Sequence, residues 1–169
     1  ALTAIRQIAE MQVDVPMLAM THCDASKLAK QHGKKSEYAL CAAQWHKTLT
    51  YKDDFFGDGM KYDNDFNMEF GYAPPYQAAE SSAALLVWKD AFERANSFDT
   101  EKVRDALSKT EIQTFYGNIK FADTGQNTAK PMVLFQVRCE GDTCENKVVA
   151  PTKWASAELV HPTPKWSER

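Results

Sequence analysis

His22, Cys23, Asp24, His32 and His46 are all of types that can ligate a metal. A zinc site draws its ligands from short, regular spacings of Cys and His. These five follow no such pattern, so neither a metal nor any other cofactor is expected. Covalent and phosphate chemistries fare no better. The sequence contains no Gly-x-Ser-x-Gly, His-Glu-x-x-His, P-loop or dinucleotide fingerprint, and no enzyme is expected from it. Asp53, Asp54, Asp58, Asp63 and Asp65 read as a solvated acidic face around aromatic residues. Trp45-His46 is the more suggestive pair, because an indole can stack on a ligand while an imidazole hydrogen-bonds it. From the residues alone, a hinge-proximal core position is the stronger reading of Trp45. Cys139 and Cys144 flank a four-residue hairpin loop, close enough for a disulfide in an oxidising compartment. Cys23 and Cys41 end neighbouring predicted strands, which suits either a Cys23–Cys41 disulfide or two buried thiols.

These residues need elements to hold them. Leu2 to Met11 carries Leu2, Ile5, Ile8 and Ala9 on one helical face. Val13 to Met20 is an apolar run of strand length, Ala25 to Gln31 can form a helix ended by Gly33, and Tyr38 to Ala43 is a second apolar run. Helix, strand, helix, strand is α/β grammar, and short apolar runs between helices favour a parallel sheet buried on both faces. Gln44 to Gly59 reads as a packed aromatic loop, and Lys61 to Phe70 as a helix with Tyr62, Phe66 and Phe70 in one row.

The longest helical signal starts after Pro74 and Pro75, where proline is tolerated because a first-turn N–H has no partner. Ala79, Ala83, Leu86, Phe92 and Ala95 recur mostly at spacings of three and four. Leu85, Val87 and Trp88 widen the stripe, which predicts burial on more than one side. Asn96 and Ser97 stop this helix, and Asp99 caps the next, with Val103, Ala106 and Leu107 facing inward. Strands follow at Asn118 to Phe121, Met132 to Arg138 and Asn146 to Ala150, with a turn at Asp123-Thr124-Gly125. The tail from Pro151 is expected to lie on the surface, anchored by Trp154 and Trp166.

Composition narrows the classes. Charged residues make up 25% and the net charge is −3, with no Lys/Arg cluster, which speaks against a nucleic-acid partner. No apolar run approaches the roughly 18 residues that span a bilayer. Ala1 opens directly in helical text without an initiator Met, so the start reads as cut or processed.

From Pro74 onward the order of motifs resembles a known family. A proline-initiated, alanine-rich helix leads to SFDTEKVRDALSK, then TFYGNIKFADTGQN, KPMVLFQV and the closing PTKWASAELVHPTPKWSER. This succession is similar to the C-terminal half of type I periplasmic binding proteins. More narrowly, it resembles the solute-binding subunits of ABC importers for branched-chain amino acids. The resemblance implies an α/β fold of two Rossmann-like lobes with parallel sheets, joined by crossover strands, of which this chain supplies part. Residues 1–43 and 131–150 would belong to the second lobe, residues 44–130 to the first, and 151–169 to a C-terminal tail. A two-lobed member runs to about twice this length. The chain is therefore expected to need the remainder of a longer polypeptide, or to self-associate.

The implied function is capture of a small solute, without catalysis, and its delivery to a membrane permease from the periplasm or the cell exterior. A ligand-sensing domain of a receptor or regulator with the same fold is the alternative. In this fold ligands lie at the carboxyl ends of parallel strands. The resemblance therefore puts Thr21, His22 and Asp24 at the cleft, with Trp45 and His46 beside the crossover. The family often supplies an acidic residue from this loop for a ligand's amino group. Thr21-His22-Cys23-Asp24 departs from that pattern, which keeps an aromatic or carboxylic solute open beside an amino acid. Asp24 also reads as a helix cap.

Overall fold

Val133 to Glu140 carries Val133, Phe135 and Val137, residue types that favour strands, and buries four of its eight residues. In the computed structural model, which describes residues 2–21, 25–130 and 132–169, this strand organises one of two units. That unit comprises Ala1–Ala43 and Met132–Arg169; the other is Gln44–Pro131.

The first unit contains α1 (Leu2–Glu10), β1 (Ala19–Met20), α2 (Ala25–His32) and β2 (Leu40–Ala43). The chain's last two strands, β7 (Val133–Glu140) and β8 (Thr143–Ala150), complete a sheet of order β1-β2-β7-β8. It is mixed: β1 and β2 run parallel, while β2–β7 and β7–β8 are antiparallel. Ile5, Leu28, Leu40, Val133, Val137 and Val148 form its buried core. Fully buried Gln136 would be costly there unpaired. Its amide donates to the carbonyls of Val160 (3.0 Å) and Tyr38 (3.3 Å), and its Oε1 accepts from Val160 N at 2.9 Å.

That bonding draws the tail into the first unit. Trp154 is buried, and Trp166 donates from its indole to Val13 O (3.1 Å) and from its backbone to Asp14 Oδ1 (3.0 Å). Thr163 N donates to Pro16 O at 2.8 Å. These bonds explain why the run Val13 to Met20 is strand only at Ala19–Met20: its earlier polar groups serve the tail, and Pro16 has no N–H for a ladder. At the other end, the strands run through the expected four-residue loop. Cys139 and Cys144 are directly opposed in register, and the chain turns over Gly141 and Asp142, with Gly141 at φ +60.

The second unit holds β3 (Lys52–Asp53), β4 (Gly57–Asp58), α3 (Gly59–Phe70), α4 (Tyr76–Ala95), α5 (Thr100–Leu107), β5 (Glu111–Thr114) and β6 (Gly117–Lys120). Local chemistry sets the helix ends. Asp58 Oδ1 accepts from Lys61 N (2.8 Å), Asp99 Oδ1 from Lys102 N (3.1 Å), and Asn96 closes α4 in the left-handed region. The α4–α5 pair is packed through Ala91, Val103 and Ala106, and Arg94 ties it by donating to Ala106 O (2.8 Å) and Thr110 Oγ1 (3.0 Å).

Burial of α4 on more than one side is not what the structure shows. Its buried residues are Ala79, Ala83, Val87 and Ala91, a single row four residues apart, whereas Leu85 is 67% and Trp88 45% exposed. Consecutive apolar residues point about 100° apart on a helix, so a cluster in sequence widens the apolar surface without supplying a partner for it.

The acidic group around residues 53–65 also differs from a solvated face. Asp53 accepts from the backbone N–H groups of Phe55 (2.9 Å), Phe56 (2.7 Å) and Phe115 (2.6 Å), so it shapes the β3–β4 turn and anchors the chain after β5. Asp63 is buried and pairs with Lys47 at 2.8 Å. Asp65 keeps the expected exposed position, paired with Lys61.

Candidate functional site

Thr21 lies exposed just beyond β1, and β1 and β2 are parallel, so their carboxyl ends share one edge of the sheet. His22, Cys23 and Asp24 lie outside the described residues, and with them the pairing Cys23–Cys41. Cys41 is fully buried and not a free thiol.

Trp45 and His46 belong to the second unit. Trp45 is 4% exposed and meets Tyr62 and Phe115 edge-on, at centroid distances of 5.7 and 6.1 Å. Tyr62 in turn stacks on Phe115 at 4.2 Å and bonds Ser82 Oγ through its hydroxyl at 2.9 Å. The indole Nε1–H of Trp45 is buried without a hydrogen-bond partner among the described residues. The ring is thus packed as core while keeping a donor in reserve.

His46 is half-buried, with Nδ1 2.7 Å from Thr48 Oγ1. Burial, reinforced by the Lys47 ammonium and opposed by Asp63, lowers its pKa to about 4. At neutral pH the ring is therefore uncharged. It can exchange a neutral hydrogen bond with a solute but supplies no positive charge for a carboxylate. The segment carrying it is pressed against the start of α3: a Cβ at Gly59 would meet Lys47 O at 2.6 Å.

A feature that sequence reasoning did not single out lies in the same unit. An open groove of about 1000 Å³ runs between α4 and β6, with Val87, Trp88, Ile119 and Phe121 on its apolar walls. Lys130 lines it, donating to the carbonyl of Gln44 and standing 4.1 Å from the centre of the Tyr116 ring. Burial lowers its ammonium to about 8, against the pull of Glu80, and also raises the Tyr116 phenol. Nothing local in the sequence marks this groove, because its lining is drawn from several separate stretches between Gln44 and Lys130. Among the described residues no group of three or more His, Cys, Asp or Glu side chains is placed to hold a metal.

The chain divides into two units and passes between them twice. The chain belongs to the periplasmic binding protein family, whose model matches residues 1–143. Its fold is that of solved branched-chain amino-acid binding proteins. The leucine-binding protein LivK of Thermotoga maritima superposes with a TM-score of 0.69 at 23% identity, over 89% of this chain and 41% of that one. The leucine-, isoleucine-, valine-, threonine- and alanine-binding protein of Brucella ovis, in a closed conformation, gives 0.71 at 12% identity, over 96% and 43%. LivJ of Streptococcus pneumoniae, in complex with isoleucine, gives 0.66 at 13%, over 89% and 42%. The chain thus spans well under half the length of these structures, and at such identities the likeness is one of fold.

Proposed function

We propose that this chain is part of an extracytoplasmic solute-binding protein that captures a small amino-acid or carboxylic solute between two lobes and presents it to the permease of an ABC importer. The family match over residues 1–143 carries this reading. The two units, joined by two chain passages, supply the mechanics. A solute that binds the closed arrangement more tightly than the open one shifts the population toward closure. In this reading the first unit is part of the second lobe and the second unit part of the first.

Thr21, His22 and Asp24 form the cleft loop, joined by Trp45 and His46. Thr21, exposed beyond β1, and the neutral His46 ring are uncharged groups that can each exchange a hydrogen bond with a solute. The Cys139–Cys144 disulfide accords with an oxidising, extracytoplasmic compartment. The role needs no catalytic group.

A thermal-shift screen of branched-chain amino acids and aromatic carboxylates tests the reading. A bound solute at one hundred times its Kd adds about 2.7 kcal/mol of stability and raises Tm accordingly. A flat response across the whole panel would count against a solute-binding role.

A further inference from the structure

The stretch between α1 and β1 has little of its own to hold it. Val13, Asp14, Pro16 and Met17 are exposed. The strand that follows, β1, is two residues long and lies at the edge of its sheet, paired with β2. A segment with few buried contacts and few ladder bonds opens at low free-energy cost. Thr21, where the loop after β1 begins, follows this strand directly.

The tail of the same unit supplies the missing restraint. Val13 O accepts from the Trp166 indole (3.1 Å), Asp14 Oδ1 from Trp166 N (3.0 Å) and Pro16 O from Thr163 N (2.8 Å). The tail is itself fixed to β7. Buried Gln136 both donates to and accepts from the backbone of Val160, and Arg138 Nη1 donates to Glu158 O at 3.2 Å. Arg169 steadies the indole: its Nε donates to Pro164 O (2.9 Å), while its guanidinium lies 3.9 Å from the centre of the Trp166 ring, a cation–π placement. One side of the tail is thus held on the sheet and the other bears on the approach to β1.

We propose that residues 160–169 are a strap that sets the approach to β1, and that Trp166 and Asp14 are positioning residues for the loop beginning at Thr21. With the strap in place, residues 13–16 are held at Val13, Asp14 and Pro16, so β1 meets β2 in one register and Thr21 leaves it in one direction. Without it, the pairs Ala19–Leu40 and Met20–Cys41 hold the strand alone. The value of the strap to a solute rests on the proposed function of this loop. The strap itself is measured without a solute, so either can fail while the other stands.

A nitroxide on Thr21→Cys reports the mobility of the loop. Hydrogen exchange at Leu40, whose amide donates to Leu18 O at 2.8 Å, reports the hold on β1. Asp14 is exposed, so Asp14→Ala removes one strap bond without touching the core, and Trp166→Phe removes the indole donor while keeping a ring for Arg169. In the double variant the strap predicts a more mobile label and exchange about tenfold or more faster at Leu40, the loss of at least one hydrogen bond, with the amides along β7 and β8 unchanged. Asp14→Asn keeps an acceptor oxygen and should loosen the label less than Asp14→Ala. A label and Leu40 exchange matching the wild type in the double variant, equal effects of Asp14→Asn and Asp14→Ala, or faster exchange spread evenly over β7 and β8, would each overturn the strap.

Discussion

The imidazole of His46 sits half-buried beside the Lys47–Asp63 pair, and its pKa of about 4 lies below the 6.5 of an exposed histidine. Between these values the unfolded chain binds a proton that the folded chain does not, so stability falls as pH drops through that window. Replacing His46 by Gln removes this dependence. Urea midpoints of the wild type should fall more steeply than those of His46→Gln between pH 6.5 and 4, and parallel curves would contradict the burial argument. Trp45 is a different case. Its ring is enclosed by Tyr62 and Phe115, so Trp45→Ala is a core deletion costing about 3–5 kcal/mol whatever it does to a solute. The cysteine pair Cys139 and Cys144 is bonded across opposed strand positions. Neither should react with a thiol reagent until a reductant is added, and immediate labelling of both would refute the pairing. Because the bond closes a short hairpin, its removal should cost no more than about 2 kcal/mol.

Among the elements, α4 and its caps were the most legible from sequence, since proline at the start, Asn96 at the end and Asp99 at the next N-cap are all local signals. What the apolar residues of α4 face was not legible, because facing depends on partners distant in sequence. The structure's account makes a sharp contrast. Ala91→Leu forces extra volume against Val103 and Ala106 and should cost about 1–3 kcal/mol, whereas Leu85→Ala on the exposed side should change stability by less than about 0.5 kcal/mol. Denaturant midpoints decide it, and a large cost at Leu85 would restore a second buried face. The same non-locality hid β5, the shortening of β1 and the role of Asp53, whose carboxylate reaches the N–H of Phe115 sixty-two residues away. The tail's aromatic anchors were readable, but not their targets at Val13 and Asp14.

At the scale of the molecule, the order of motifs from Pro74 onward pointed to the periplasmic binding protein family, and the match over residues 1–143 bears that recognition out. The candidate site was far less accessible. Thr21 and His46 are placed, Trp45 is core with one reserved donor, and the groove beside α4 came from the fold alone. The central claim is that the protein binds a small solute through the loop after β1. Isothermal titration of the protein carrying both lobes, wild type against His22→Ala, with leucine, isoleucine, valine and an aromatic carboxylate, tests it most directly. The account predicts one-to-one binding of at least one of these solutes, weakened about tenfold or more in the variant, the loss of one good polar contact, while unliganded Tm is unchanged. Binding of equal strength in both proteins would remove the loop from the site, and no binding of any of the four would contradict the claim itself.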